Sequence, residues 1–225
     1  MHWADQYNLF LFDLDGLLVN TEELQYRAYV IMCKQRGYDL GLTFKQYFAI
    51  AQQDAEALRR YIIATFPDLQ AQGSNWNTLY AEKKQAYIKL VHTEMTPLLP
   101  GAAELLLLLQ EKNKMRCVVT HSQKELVDLL RHKNPILNTI PHWFTREDYE
   151  KPKPSPDGYM KAIQTLADEE DKVIGFEDTR RGLCALMQTR AKPVLVNEFD
   201  ASMREEFQKQ GICVFSSLEE VVSLC

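Results

Sequence analysis

The sequence predicts an α/β protein in which a parallel sheet is interrupted once by an all-helical insert. Three observations favour this fold class. Beyond residue 96, short apolar segments alternate with helical patterns, as they do in parallel sheets whose strands are joined by helices. A further strand-like segment lies at 8–14, and the residues from 20 to about 95 contain no convincing strand. We therefore expect a Rossmann-like parallel sheet core, with the helical segment inserted after its first strand.

The insert shows helical patterns almost throughout. The run "TEELQYRAYVIMCKQRG" predicts a helix that ends at Gly37, since glycine commonly follows the last turn of a helix. Further helical patterns continue to about Met95, with a break near 67–74. We expect residues 19–95 to form a helical cap domain. Residues 1–18 and 96–225 then form a discontinuous α/β core domain.

The remaining core alternates between strands and helices. Strands are predicted at 115–120, 142–145, 172–178, 192–196 ("KPVLV") and 212–217 ("ICVFSS"). Helices are predicted at 102–112, 123–132, 155–167, 180–188 and 218–224. Strands separated by helices of this length indicate parallel pairing, because a parallel neighbour requires a crossover connection.

The bulk composition excludes several classes of protein. A net charge of −5 without a basic tract argues against nucleic acid as the main partner. The longest purely apolar run, 105–109, is far too short to span a bilayer, and the N-terminus does not resemble a secretory signal. The five cysteines are scattered, which favours structural thiols in a reducing compartment. We expect a cytoplasmic monomer with no membrane or nucleic-acid partner.

Polar side chains gather where the predicted strands end. Because ligands of open parallel sheets bind at the carboxyl ends of the strands, we expect these side chains to form a site. A proline-stiffened loop before a predicted helix adds two lysines. The candidates are Asp13 and Asp15 after the first strand, Thr120, His121 and Ser122 after the second, Lys151 and Lys153 in the loop, and Glu177, Asp178 and Thr179 after the fourth.

The acids of this predicted site imply a cation. Four converging carboxylates repel one another strongly unless positive charge lies among them, and oxygen-only ligands suit Mg²⁺. Asp13 and Asp15 stand two positions apart, and the two acids need not do the same job. Gly16 allows the chain to turn directly after them. A magnesium site at this edge of the sheet is the expectation.

A magnesium ion, a lysine and a hydroxyl around a carboxylate favour phosphoryl transfer. In that reaction the protein mainly positions the reactants and neutralises charge. A carboxylate can act as the nucleophile and form an acyl phosphate. A second acid beside it can protonate the leaving oxygen and then deprotonate a water molecule.

Four motifs with this chemistry occur in order along the chain. They are Asp13-Leu14-Asp15-Gly16 followed by Asn20-Thr21-Glu22, "VVT" ending at Thr120, Lys153-Pro154-Ser155-Pro156-Asp157, and Phe176-Glu177-Asp178-Thr179-Arg180-Arg181-Gly182. Each one alone could be a turn, a rigid loop or a helix cap. Together they resemble the haloacid dehalogenase superfamily, in the C1 branch with a helical cap after the first strand. That branch includes β-phosphoglucomutase and many small-metabolite phosphatases.

The resemblance implies a role for each matching position. It implies Asp13 as nucleophile, Asp15 as general acid and base, Thr120 as hydrogen-bond donor to the phosphoryl group, and Lys153 as the neutralising cation. It implies Asp13, Asp15, Glu177 and Asp178 around Mg²⁺, with the backbone carbonyl of Asp15 and with Glu177 as direct ligand or supporting residue. It implies substrate contacts from Leu14, Gly16, His121 and Ser122. Lys151 competes with Lys153, but the Pro-Asp that completes the motif follows Lys153.

The expected activity is Mg²⁺-dependent hydrolysis of a small phosphorylated metabolite, with a sugar phosphate as one option, through an aspartyl-phosphate intermediate. The cap is expected to close over the site and supply specificity. Dehalogenases of the superfamily lack an acid such as Asp15 and need no metal, so dehalogenation is disfavoured. A non-catalytic binding protein on the same scaffold is a further alternative.

A sugar-phosphate mutase is the main rival within the family. Enzymes similar to β-phosphoglucomutase carry a histidine in the first cap helix where this chain has Gln25. Their arginine-bearing, glycine-containing cap loop corresponds here to 49–60, where Gln52 and Gln53 replace the basic residue and Arg59 and Arg60 follow. A mutase must hold a bisphosphate in two orientations, so these departures favour a phosphatase.

A further alternative within the family is phosphonate hydrolysis, and a further departure from the family pattern follows the fourth motif. Phosphonate hydrolysis uses a desolvated cap lysine, and nothing in the sequence marks Lys34, Lys45, Lys83, Lys84 or Lys89 as desolvated. After the fourth motif the family continues into an alanine-rich helix that ends in Ala-Gly-Met. Here the segment is "GLCALMQTRAKPVLV", for which the sequence suggests no functional account.

Overall fold

The computed structural model describes residues 2–51, 56–71 and 75–224. It divides into two compact units, residues 1–20 with 96–225, and residues 21–95. The predicted boundaries, after residues 18 and 95, lie within two residues of these divisions. That the two units are separate domains stays a prediction.

The first unit contains a parallel sheet. Its strands are β1 (Leu9–Phe12), β2 (Met115–Val119), β3 (His142–Phe144), β4 (Val173–Glu177), β5 (Lys192–Val196) and β6 (Cys213–Phe215). Their order is β3-β2-β1-β4-β5-β6, with every neighbouring pair parallel. The predicted fold class, a Rossmann-like α/β core, is confirmed.

The second unit is made of helices, and further helices belong to the first unit. Those of the second unit are α1 (Glu22–Gln35), α2 (Phe44–Ala51), α3 (Ala57–Thr65), α4 (Asp68–Ala71) and α5 (Trp76–Thr93). Those of the first unit are α6 (Ala102–Glu111), α7 (Lys124–Lys133), α8 (Asp157–Leu166), α9 (Arg180–Met187), α10 (Ala201–Lys209) and α11 (Leu218–Val222). Short 3₁₀ helices lie at Trp3–Gln6, Pro135–Thr139 and Arg146–Asp148.

Strand β1 is apolar throughout because both of its faces are covered. Leu9 and Leu11 belong to a core cluster with residues of β2 and α8. Phe12 belongs to the opposite face and stacks on Phe176 of β4, with ring centroids 5.2 Å apart. A central parallel strand buried on both faces needs such a continuous apolar run. The strand ends at Phe12, two residues earlier than predicted, and the Asp13 amide makes the next hydrogen bond, to the Phe176 carbonyl at 3.1 Å.

The helical unit packs α1 against α5. Helix α1 ends before Gly37, which has a φ of +84°, as the sequence predicted. Arg36 at the end of α1 donates from Nε to Glu82 of α5 at 3.0 Å, and Arg27 pairs with Glu94 at 2.8 Å. The apolar faces of α1 to α5 meet in a cluster that includes Met32, Ile62 and Leu79. Side-chain contacts between the helices therefore hold this unit together.

Lys83 of α5 is buried inside the helical unit, with an exposed fraction of 7%. Its Nζ donates to Oε1 of Gln25. It also lies 4.9, 5.8 and 5.3 Å from the ring centroids of Tyr29, Tyr80 and Tyr87. Lys83 is therefore a buried cap lysine, although nothing in the sequence marks it as desolvated. Tyr80 and Tyr87 belong to the same helix as Lys83, whereas Gln25 and Tyr29 come from α1, and no local pattern reveals contacts from another helix.

Two further sequence expectations concern cysteines and membranes. Cys33, Cys117, Cys184 and Cys213, which the structure describes, are free thiols. Among the described helices, each is too short or too polar to cross a membrane.

Gly101 precedes α6 at a place where the chain tolerates no side chain. Its φ is +83°, and a Cβ there would lie 2.1 Å from the Glu219 backbone nitrogen in α11. We expect Gly101→Ala to lower the free energy of unfolding by about 2 to 5 kcal/mol, because left-handed strain and overpacking add. Urea denaturation measures this loss.

Gly211→Ala is the matched control, since its φ is +81° and its Cβ would meet nothing within 4 Å. It should cost only the backbone strain, about 1 to 2 kcal/mol. Equal losses in the two variants would show that the contact with α11 does not constrain position 101.

Candidate active site

The candidate site lies at the carboxyl ends of the three central strands. Strand β1 lies between β2 and β4, so Asp13, Thr120 and Glu177 follow or end neighbouring strands. Lys153 reaches the same place from the loop that leads into α8. All four residues belong to the first unit. The topology thus brings together side chains that are up to 164 positions apart, from Asp13 to Glu177.

The ammonium group of Lys153 is the centre of this arrangement. Lys153 is 8% exposed and donates from Nζ to Oδ1 of Asp13, to the Val119 carbonyl at 3.0 Å and to Oε1 of Glu177 at 2.5 Å. Three acceptors match the three hydrogens of an ammonium group. Burial works against its charge, but the carboxylates of Asp13 and Glu177 outweigh burial and raise the pKa of Lys153. Lys153 is therefore held as a cation.

Asp13 lies in the same buried space. Burial and the nearby charges of Glu177 and Asp15 raise the pKa of Asp13, Lys153 opposes them, and the net result is a pKa of about 7. One lysine does not cancel the negative charge that the acids bring to this space. The site is therefore short of positive charge.

Asp15 has different partners from Asp13. Its Oδ2 accepts from the Ser122 hydroxyl at 2.7 Å and from the Thr120 hydroxyl at 3.2 Å. The Thr120 hydroxyl also accepts from the Ser122 amide at 3.0 Å. Gly16, with a φ of +86°, turns the chain directly afterwards, so that its amide bonds to the Val19 carbonyl at 2.9 Å. The two acids of the first motif therefore lie in separate surroundings.

Three buried acids could hold a metal ion. Asp13, Glu177 and Asp178 each offer a carboxylate oxygen, and these oxygens lie within 4.8 Å of one another. An all-carboxylate donor set suits a hard divalent cation such as Mg²⁺, which binds one or two carboxylates and keeps several waters. The deficit of positive charge around Asp13 points the same way. The residues present therefore fit a magnesium ion.

The position of Glu177 depends on its neighbours. Its side chain is fully buried, and the Tyr159 hydroxyl donates to Oε1 at 2.5 Å. Gly182 in the first turn of α9 makes the room, because a Cβ there would lie 2.0 Å from the Glu177 carboxylate carbon. Thr179 begins the same turn, and its hydroxyl accepts from the Gly182 amide at 3.1 Å. The glycine of the fourth motif is thus a requirement of close packing.

The other predicted residues take varied places. The side chain of Leu14 is fully buried, and Lys151 is exposed, so Lys153 is the lysine that enters the cluster. The Nε2 of His121 accepts the backbone N–H of Lys153 at 2.7 Å. The predicted substrate contacts of Leu14, Gly16, His121 and Ser122 stay predictions.

Sequence reasoning missed three residues that support the site. They are Tyr159, which bonds Glu177, Tyr149, whose hydroxyl donates to the Thr120 carbonyl at 2.8 Å, and Asn197, whose Nδ2 donates to the Asp178 carbonyl at 2.9 Å. Asn197 follows directly after β5, and the rule that polar residues gather at strand ends could have found it. The tyrosines had no such signal, because a buried tyrosine in a helix or loop resembles ordinary core.

The chain is similar to proteins of a known family. The haloacid dehalogenase-like hydrolase family matches residues 10–196. The chain is 30% identical over 203 residues to 2-deoxyglucose-6-phosphate phosphatase 1 of Saccharomyces cerevisiae, covering 79% of this chain and 75% of that protein. It is 28% identical over 179 residues to validoxylamine A 7'-phosphate phosphatase of Streptomyces hygroscopicus subsp. limoneus, covering 80% of each.

The fold is also similar to that of a solved mutase. The crystal structure of β-phosphoglucomutase from Clostridium difficile superposes with a TM-score of 0.71 at 20% identity, covering 96% of this chain and 93% of that one. At this identity the likeness concerns the fold alone. The named phosphatase relatives confirm the predicted enzyme class, a phosphohydrolase. The family match and the yeast relative show that the chain belongs to the haloacid dehalogenase-like hydrolases.

Proposed function

We propose that the chain is a Mg²⁺-dependent phosphatase that hydrolyses a small phosphorylated metabolite through a phosphoryl group carried on Asp13. The observation that carries this proposal is the buried set of Asp13, Lys153 and Glu177, beside an Asp15 that two hydroxyls hold. This set offers a nucleophile, a cation and a proton donor within one edge of the sheet. The two relatives of the chain named above are phosphatases, which agrees with hydrolysis of a phosphate ester.

Asp13, Glu177 and Asp178 would hold the magnesium ion through their carboxylates. The backbone carbonyl of Asp15 is a further candidate ligand. A bound Mg²⁺ supplies positive charge for the transferring phosphoryl group. Lys153 supplies positive charge of its own next to Asp13.

In the first step an Asp13 carboxylate oxygen attacks the phosphorus. The bond from phosphorus to the ester oxygen breaks, and protonated Asp15 transfers its proton to that oxygen as the alcohol leaves. The Thr120 and Ser122 hydroxyls orient Asp15 for this transfer. Lys153 keeps Asp13 in place and offsets its charge.

In the second step a water molecule attacks the phosphorus of aspartyl phosphate. Asp15, now a carboxylate, takes a proton from this water. The bond from phosphorus to Asp13 breaks, so that inorganic phosphate leaves and the Asp13 carboxylate is restored. One ester and one water are consumed, and one alcohol and one phosphate are formed.

Among the residues that the structure describes, none favours the mutase. Gln25, at the position of the mutase histidine, cannot exchange protons as an imidazole does, and its Oε1 accepts from Lys83. Gln52 and Gln53 lie outside the described residues. Arg59 and Arg60 are exposed on α3, where Arg59 pairs with Glu56 at 2.8 Å.

The buried Lys83 does not favour phosphonate hydrolysis either. A Schiff-base lysine must react as a neutral amine. The three tyrosine rings and the amide oxygen around Lys83 instead stabilise a charged ammonium group.

A panel of phosphate esters tests the proposed activity. The purified chain is incubated with Mg²⁺ and esters of sugars, polyols and other small metabolites, and inorganic phosphate is measured. We expect release from at least one ester and loss of release on adding a chelator. β-Glucose 1-phosphate with a trace of the 1,6-bisphosphate belongs in the panel, since glucose 6-phosphate formation would identify a mutase. No release from any ester would favour a binding protein.

Asp13→Asn tests the nucleophile. We expect kcat to fall by at least about 1,000-fold, because an amide cannot form the acyl phosphate. Asp15→Asn should also be severely impaired. The control is Asp128→Asn, which alters an exposed acid on α7 and should keep the wild-type rate. A wild-type rate for Asp13→Asn would sink the aspartyl-phosphate mechanism.

Gly182→Ala tests whether the position of Glu177 matters for the metal. The new Cβ would displace the carboxylate, so we expect the half-saturating Mg²⁺ concentration to rise and kcat to fall, each on the order of 10- to 100-fold. Steady-state rates over a range of Mg²⁺ concentrations measure both effects. Gly211→Ala is again the control. If magnesium dependence and kcat were both unchanged, Glu177 would have no part in metal binding.

A further inference from the structure

We propose that His121 is a positioning residue, whose neutral ring fixes the backbone of Lys153 so that the ammonium group meets Asp13 and Glu177. The inference rests on the proposed function, since it concerns the geometry of that reaction. The hydrogen bond of His121 goes to the Lys153 amide and not to Asp13 or Asp15, which carry out the proposed reaction. Its effect runs through Lys153.

Two contacts join Lys153 to the segment that contains His121. The Lys153 amide donates to Nε2 of His121 at 2.7 Å, and the Lys153 ammonium donates to the Val119 carbonyl at 3.0 Å. Backbone and side-chain tip of one lysine are thus both held by residues 119–121. These two contacts fix the position of the Lys153 backbone as well as that of its ammonium group.

The contact requires a particular form of the imidazole. Because Nε2 accepts a hydrogen bond, it carries no proton, and the ring proton must be on Nδ1. Burial, together with the positive charges of Lys153, Arg181 and Arg146, lowers the pKa of His121 to about 3. The acceptor form is therefore the stable one at neutral pH.

The surroundings hold both partners of this hydrogen bond. The His121 ring lies 6.3 Å from the Tyr149 ring, and the Tyr149 hydroxyl bonds the Thr120 carbonyl at 2.8 Å. On the other side of the loop, Nε2 of Gln188 donates to the Pro154 carbonyl at 2.8 Å. Gln188 belongs to the segment after the fourth motif that departs from the family pattern. It is exposed, so its contribution should be smaller than that of His121.

Fixing the backbone matters because the lysine stem is flexible. A lysine side chain has four carbon–carbon bonds about which it rotates, and its ammonium group must satisfy three acceptors at once. Displacement of the backbone would cost at least one of these contacts. A misplacement of about 1 Å at a catalytic group can cost about 100-fold in rate.

The experiment compares His121→Ala with His121→Gln. The glutamine side-chain oxygen can accept the Lys153 amide where Nε2 does, whereas alanine cannot. We expect His121→Ala to lower kcat on the order of 10- to 100-fold with little change in KM. His121→Gln should restore most of the rate. His132→Gln, which alters an exposed histidine on α7, should match the wild type.

Amide hydrogen exchange tests the contact itself without using activity. In His121→Ala the Lys153 amide should exchange about tenfold faster than in the wild type. The Ser155 amide is the internal reference, because it bonds the Pro152 carbonyl at 2.9 Å and not His121. Urea denaturation confirms that each variant is folded under assay conditions.

The outcomes separate the two proposals. Unchanged exchange at Lys153, a wild-type kcat in His121→Ala, or equal impairment of the alanine and glutamine variants would each overturn the role of His121 and leave the phosphatase proposal intact. A wild-type protein that hydrolyses no ester would overturn the proposed function. In that case faster exchange at Lys153 would still show that His121 holds the loop. It would not show that this contact serves the proposed reaction.

Discussion

Lys153 brings one positive charge into a space that it shares with buried carboxylates. An isolated charge in such a place is destabilised by several kcal/mol unless its partners replace water. The carboxylates of Asp13 and Glu177 would in turn repel each other without the ammonium group that both contact. The ammonium group and the two carboxylates therefore stabilise one another, and removing either would leave an uncompensated buried charge. The deficit of positive charge that remains is what makes a divalent cation fit there.

The fold serves this charge cluster through close packing as much as through hydrogen bonds. Glu177 reaches Lys153 only because Gly182 leaves the space beside it empty of a side chain. Tyr159 then bonds the same carboxylate oxygen and closes it off from water. A buried carboxylate needs such partners for its lone pairs, since an unsatisfied one is costly. The helices after β4 and before it are thus both part of the site's construction.

Much of this could be predicted from local patterns. Parallel strands carry their polar residues at one edge, so Asp13, Thr120 and Asp178 could be placed there from sequence alone. The rule depends only on strand direction and alternation with helices, which short apolar runs reveal. It did not find Tyr159, because a tyrosine in the first turns of a helix has the same pattern whether it packs in a core or bonds a carboxylate. It also could not distinguish buried Lys83 from exposed cap lysines, since burial there comes from a partner helix.

The sequence by itself determined the fold class, the order of the four motifs and the residue types that phosphoryl transfer requires. These features are local, because each depends on neighbours within a strand, a loop or a helical turn. Tertiary structure alone decided which oxygens Lys153 contacts, that Asp13 and Asp15 have separate partners, and that His121 accepts the Lys153 amide. The physical reason is distance along the chain. Contacts between residues that lie 24 to 140 positions apart depend on how whole strands and loops pack, and no short segment carries that information.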